Sequence, residues 1–190
     1  MEKNILNLKD IPEGSGLNVK QEIQRKAAIQ GHAEIDKAAI REFLDELKYP
    51  LTFFDIESFQ KAVPPYDGLP PYRQIPFQFS VHVQDSPDSE LKHYEFLAPN
   101  KEDPRSAFME KLIDVVPDDG KILVYNASFE KTRIKECAKY HPQFQPWVDS
   151  VLDRFLDLLV PFSKFSYYHP DQHGSASIKQ VLPALTETDY

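Results

Sequence analysis

Hydrophobic and polar positions along the chain change their period several times, and each change marks an element. Val19 to Gln30 reads as a polar helix stopped at Gly31, and Glu34 to Lys48 as a second helix with Ile35, Ala39, Phe43, Leu44 and Leu47 on one stripe. Tyr49-Pro50 ends that helix, because a residue before proline is pushed out of the helical region. Leu51-Thr52-Phe53-Phe54-Asp55-Ile56-Glu57 is apolar on both faces until Asp55, which suits a central strand covered on both sides. A proline-rich loop from Val63 to Pro71 follows. Phe77 to Gln84 then alternates apolar and polar residues, as a half-buried strand does, with Asp85 to Ser89 as a turn and Leu91 to Leu97 as its hairpin partner.

Asp103-Pro104 predicts a helix start, with Phe108, Leu112, Ile113 and Val116 as the buried stripe. Asp118-Asp119-Gly120 turns the chain into a strand from Lys121 to Tyr125, and Asn126 is placed to cap a helix from Ala127 to about Tyr140. Trp147, Val151, Leu152, Phe155 and Leu159 predict one long amphipathic helix ending near Pro161, and Ser177 to Leu182 a short final one. The order of elements gives an α/β fold with a sheet of mixed direction. Residues 1–48 form an N-terminal arm and helices, and 49–190 the sheet-bearing domain.

Composition narrows the function classes. A chain of 190 residues with 41% hydrophobic and 12% aromatic residues can build a core, which excludes general disorder. No apolar run is long enough to span a bilayer and no secretory leader is visible, so a cytoplasmic protein without membrane partners is expected. One cysteine excludes a disulfide framework and any cysteine-based zinc site. The net charge of −8 argues against a broad electrostatic grip on phosphates, yet leaves room for local binding through cations held by carboxylates.

Two constellations carry candidate chemistry. Asp55 and Glu57, two apart on a strand, project from one face near its end. Two carboxylates there are costly to bury unless paired or cation-bound, and their oxygens suit Mg²⁺ or Mn²⁺; the plain alternative is a solvated strand end. Glu130 follows the Tyr125-Asn126-Ala127-Ser128-Phe129 strand end about one turn into a helix, from which it can reach back over the sheet edge. Its plain alternative is a glutamate that complements the helix dipole. If the two strands are neighbours, three carboxylates converge where open α/β sheets usually place their sites.

Together these stretches resemble the DnaQ-like (DEDD) 3′–5′ exonucleases of the ribonuclease-H-like fold. Asp55-x-Glu57 is similar to their first motif, and Asn126-Ala127-Ser128-Phe129-Glu130 to their second. A closer resemblance, covering the chain from about Leu8 onward, is to the bacterial domain of unknown function 2779. It rests on Tyr49-Pro50 with Phe54-Asp55-Ile56-Glu57, Pro71 to Gln78, Arg154-Phe155-Leu156-Asp157-Leu158, and Gly174 to Pro183. The resemblance implies a ribonuclease-H-like mixed sheet flanked by helices, with an N-terminal helical extension. It also implies two-metal hydrolysis of DNA or RNA, with Asp55, Glu57 and Glu130 as ligands of Mg²⁺ or Mn²⁺ and Asp157 in a supporting role. Asn126, Lys131 and Lys179 are the expected nucleic-acid contacts. The plain alternative for Asp157 is a solvated helix face shared with Asp149 and Asp153, and for Lys131 one shared with Lys135 and Lys139.

Two departures from the superfamily stand out. Position 130 is Glu where Asp is usual, and the last acidic motif is missing, since Glu187 and Asp189 fall too early. Either further domains of a longer chain follow, or the site lacks one ligand; poor metal affinity and turnover are expected of this chain. The competing expectation is a non-catalytic module of the same fold that binds nucleic acid or docks a protein. His169, Asp171 and His173 are ligand-type residues at close spacing, but without cysteine partners they make a weak zinc candidate.

Overall fold

The computed structural model describes residues 5–186. Glu187 and Asp189, weighed above as late acidic residues, lie outside them. The chain divides into two compact units. One spans residues 47–157, and the other joins the segment up to Glu46 to the segment from Leu158 onward. The sequence-based division instead kept everything after residue 48 together.

In the divided unit, α1 (Val19–Gln30) starts at a reciprocal cap: the Asn18 side chain accepts the Gln21 N–H at 2.9 Å, and the Gln21 side chain accepts the Asn18 N–H at 2.9 Å. Gly31 closes the helix in the left-handed region at φ 72°. The helix expected to start at Glu34 begins later, because Glu34–Ile35 is a short strand, β1, paired antiparallel with β7 (Tyr167–Tyr168). The Asp36 carboxylate then accepts the N–H groups of Ala38 and Ala39 at 3.1 and 3.0 Å and sets the start of α2 (Lys37–Asp45). This unit also contains α6 (Val160–Ser163), α7 (Ile178–Thr186) and 3₁₀ turns at Leu8–Asp10 and Pro170–Gln172. Its small core is Ala27, Phe165 and Tyr168, the two rings stacked at 4.6 Å.

The other unit is a mixed α/β sheet flanked by helices. Its strands are β2 (Leu51–Phe59), β3 (Ile75–Gln84), β4 (Lys92–Leu97), β5 (Lys121–Val124) and β6 (Phe155–Asp157), in spatial order β4-β3-β2-β5-β6. β2, β3 and β4 pair antiparallel, whereas β2, β5 and β6 run parallel. Its helices are α3 (Arg105–Val115), α4 (Ser128–Tyr140) and α5 (Gln145–Val151). Phe54, Ile56, Phe79, Val81 and Val83 form the sheet's side of the core, against Phe108 and Leu112 of α3 and Ile134 of α4. Phe108 meets Phe79 and Phe96 edge-on at 5.3 and 5.8 Å. Gly120 lies at φ 84° with its α-carbon against Pro50, where a Cβ would come within 1.9 Å of the Pro50 carbonyl oxygen. Only glycine lets β2 and β5 start side by side there.

The long helix expected from Trp147 to Leu159 is corrected by the structure. α5 ends at Val151, a 3₁₀ turn covers Leu152–Arg154, and Phe155–Asp157 pairs in parallel with Ile122–Val124. Apolar residues at helical spacing do not reveal that a short run has found a strand partner; the tertiary ladder decided it. Among the described residues no helix is long and apolar enough to cross a membrane.

Candidate active site

Asp55 and Glu57 sit on β2 opposite Ser80 and Gln78 of β3, and both are exposed, while Ile56 between them and Phe54 before them turn into the core. Strand alternation therefore delivers both carboxylates to one face, as the sequence implied. The register with β3 shifts just after Glu57, which ends the regular part of the ladder at this point.

The second segment is built differently from its expectation. Asn126 occupies the left-handed region at φ 76°, two residues before α4 starts at Ser128. Its side chain does not cap the helix; the Asn126 carboxamide oxygen accepts the Ser128 hydroxyl at 2.9 Å. The carboxylate that satisfies the turn belongs to Asp157, which accepts the N–H groups of Asn126 and Ala127 at 2.9 and 3.0 Å. Asp157 can do so because β6 lies beside β5, with Asp157 level with Val124. The solvated-helix alternative for Asp157 thus falls with the helix itself.

Glu130 lies in the first turn of α4 and is only 4% exposed. Its Oε2 has no hydrogen-bond partner. Its carboxyl is raised to about 7, by burial first; its own backbone N–H pulls the other way, and the charges of Asp55 and Asp157 contribute to the rise. Tyr125, at the mouth of the same turn, is pushed up to about 12 by burial first and by Asp157 second. Asp55, Glu130 and Asp157, contributed by β2, α4 and β6, therefore share one electrostatic neighbourhood. Glu57 follows Asp55 on the same strand face. Among the described residues, however, no three His, Cys, Asp or Glu side chains form a group able to hold a metal ion, so Asp55, Glu57 and Glu130 are not assembled into a closed ligand set.

Of the expected nucleic-acid contacts, Asn126 is exposed beside these carboxylates, and the Lys131 ammonium stands 5.3 Å from the centre of the Phe155 ring. Lys135 and Lys139 are exposed further along α4. Lys179 is exposed on α7, in the other compact unit.

Residues that the sequence left without a role prove to position this region. Arg73, from the Pro71–Gln78 stretch, pairs with Glu136 of α4, and Gln74 accepts a hydrogen bond from Arg133. That loop is thereby fastened to the helix that carries Glu130, with Arg133 one turn further along. Arg105 is 6% exposed, holds Asp103 at 2.5 Å and lies 4.3 Å over the Tyr140 ring, which ties the start of α3 to the end of α4. Arg154 donates to the carbonyl oxygens of Gly120, Pro117 and Asp119 at 2.9, 2.7 and 2.5 Å, clamping the turn ahead of β5. The signal for these roles was present as charged residues inside otherwise apolar or proline-rich stretches. Their partners were not: apart from Asp103, two residues from Arg105, they lie tens of residues away.

Comparison with known proteins adds the family. An uncharacterised protein of Mycoplasma pneumoniae is 28% identical over 155 residues, covering 75% of this chain and 23% of that protein. An uncharacterised protein of Ureaplasma parvum is 26% identical over 162 residues, covering 80% of this chain and 23% of that protein. The chain thus spans about a quarter of the length of these relatives. No solved structure matches it significantly. Residues 52–177 match the family described as Domain of unknown function (DUF2779), and the chain belongs to that family.

Proposed function

We propose that the α/β unit is a metal-dependent nuclease domain of the DnaQ-like (DEDD) 3′–5′ exonuclease type, acting on DNA or RNA in the cytoplasm. The observation that carries this reading is Glu130, a buried carboxyl with an unpartnered oxygen that feels the charges of Asp55, midway along β2, and of Asp157, the last residue of β6. A buried carboxyl among other carboxylates is costly unless positive charge arrives. Carboxylate oxygens are the donors that Mg²⁺ and Mn²⁺ accept, so the donor chemistry fits, with Asp55, Glu57 and Glu130 as the residues that would hold the ions. Bound there, such ions supply an activated water and stabilise the leaving oxygen of a phosphodiester. The strand order, antiparallel on one side of β2 and parallel on the other, supports the ribonuclease-H-like reading of the sheet.

The chain's own residues have distinct parts in this reading. Glu130 carries a proton near neutral pH that it gives up when a cation approaches. Asp157 keeps its two backbone N–H bonds and holds the turn that aims α4, which makes it a positioning residue. Lys131 offers a cation beside the carboxylates to a phosphate of the substrate.

The test is Mn²⁺-dependent degradation of single-stranded DNA and RNA by the full-length protein and by its Asp55→Asn variant. At least a hundredfold loss in the variant is expected; equal activity in both ends the proposal. A second reading, a non-catalytic nucleic-acid-binding or protein-docking module, is favoured by the lack of a ready-made ligand set among the described residues. Calorimetry with Mn²⁺ separates the two. Binding that Glu57→Gln and Asp55→Asn abolish supports the nuclease; no Mn²⁺ binding, with nucleic acid still bound, supports the module.

A further inference from the structure

Beyond Glu57, β2 ends in a second feature that the carboxylates do not explain. Phe59 lies two residues further along, opposite Ile75, and its ring meets that of Phe77 at 6.0 Å with a tilt of 56°. These rings line a cavity of about 610 Å³, also bordered by Tyr66 and by the Asn100–Lys101 loop. The Lys61 ammonium stands 5.9 Å from the centre of the Phe59 ring, so a cation, and not a core side chain, covers that aromatic face. Tyr66 is fixed in the wall, its hydroxyl donating to the carbonyl oxygen of Glu102 at 2.8 Å. Lys61 and Lys101 are exposed and give the rim two positive charges against the one negative charge of Glu102.

A half-open pocket with an aromatic floor and a cationic rim matches a planar ring that carries an anion. Rings of this kind stack on nucleobases with little regard to sequence, and ammonium groups meet phosphate as point charges. The volume falls within the range of small-molecule sites and exceeds what one ring needs. Phe59 lies four positions along the strand from Asp55, a span of about 13 Å at ~3.3 Å per residue. The pocket is thus a short distance along the strand from the carboxylate pair, and not part of it.

We infer that this cavity binds one nucleotide unit, its base on Phe59 and Phe77 and its phosphate on Lys61 and Lys101. The choice of a nucleotide among planar anions rests on the nuclease reading. The unit is either a free mononucleotide or the end of a strand, which the same chemistry would hold.

The test titrates AMP, adenosine and an eight-nucleotide oligothymidylate into the Asp55→Asn chain, in chelator and without metal, so that failure of hydrolysis does not touch the outcome. Saturable AMP binding is expected, weakened at least tenfold by the paired change Lys61→Glu and Lys101→Glu with adenosine binding unchanged. Phe77→Leu, which keeps an apolar side chain, is expected to weaken AMP and adenosine alike by several-fold, with thermal melts checking that each variant folds. Oligonucleotide binding that AMP displaces assigns the site to a strand end, whereas AMP binding without it assigns a free nucleotide. Absence of saturable binding by both AMP and the oligonucleotide at millimolar concentration, or AMP affinity indifferent to the paired lysine change, overturns the inference.

Discussion

The two compact units hold their elements by different means. In the 47–157 unit, a continuous core runs from β3 through β2 and β5 to the helices, and Phe54, Phe79 and Phe108 are buried together in it. In the unit that joins the chain's two ends, the core is Ala27, Phe165 and Tyr168 with Ile23 packed against it. Here helices are started by side-chain caps at Asn18 and Asp36, and the strands are two residues long. The lesson is about what each can support. A carboxyl such as Glu130 can be kept buried with one oxygen unpartnered only where surrounding packing is strong enough to carry its cost, and the sheet unit has that packing.

Breaking the core should have the largest effect. Phe108→Ala removes a ring that touches Phe79 and Phe96 at 0% exposure, and a loss of about 3–5 kcal/mol is expected in denaturant unfolding. A loss under 1 kcal/mol would contradict the central place given to this ring.

The next effect concerns Glu130. Its folded-state pKa, raised from 4.5 to about 7, means that the folded chain binds the proton more tightly than the unfolded chain. That contribution to stability is fully present below the unfolded value and is lost as pH rises through about 7. Glu130→Gln mimics the protonated side chain. In chelator it should match the wild type below pH ~4.5 and exceed it by an amount on the order of 3 kcal/mol above pH ~7. Melting curves at a series of pH values measure this, and a pH-independent difference between the two proteins would refute the assignment.

Asp157→Ala leaves the Asn126 and Ala127 N–H groups without their acceptor, and about 1–2 kcal/mol should be lost. Hydrogen exchange should speed up at Asn126 and Ala127 in particular; unchanged exchange there would count against the clamp. The smallest effect is expected in the other unit. Asn18→Ala removes one half of the reciprocal cap on α1 at about 0.5–1 kcal/mol. Faster amide exchange confined to the first turn of α1 is the expected readout.

Much of this was legible along the chain. The alternation from Phe77 to Gln84, the aromatic run of β2, the helix stop at Gly31 and the Phe108–Leu112 stripe each depend on neighbours within a few residues. For the same reason, the placement of Asp55 and Glu57 on one face was readable, since strand alternation is local. The helix that was expected to run through Phe155 failed because the ladder with β5 is not local. Asn126 was misread as a cap because α4 starts without a side-chain cap, and the turn before it is held by a carboxylate from residue 157. Arg73 and Arg154 had no assignable partner until the loop and turn they hold were in place.

The sequence by itself determined the α/β class, the order of most elements and the placement of Asp55 and Glu57 on one face of β2. These follow from periodicity, turn chemistry and the pitch of a strand, all acting over short distances. Only the tertiary structure decided that β6 exists, that Asp157 closes the turn before α4, and that Glu130 is dry with an unpartnered oxygen. Burial and strand pairing join segments tens of residues apart, and the free energy that selects them belongs to the packed core and to no single stretch of chain.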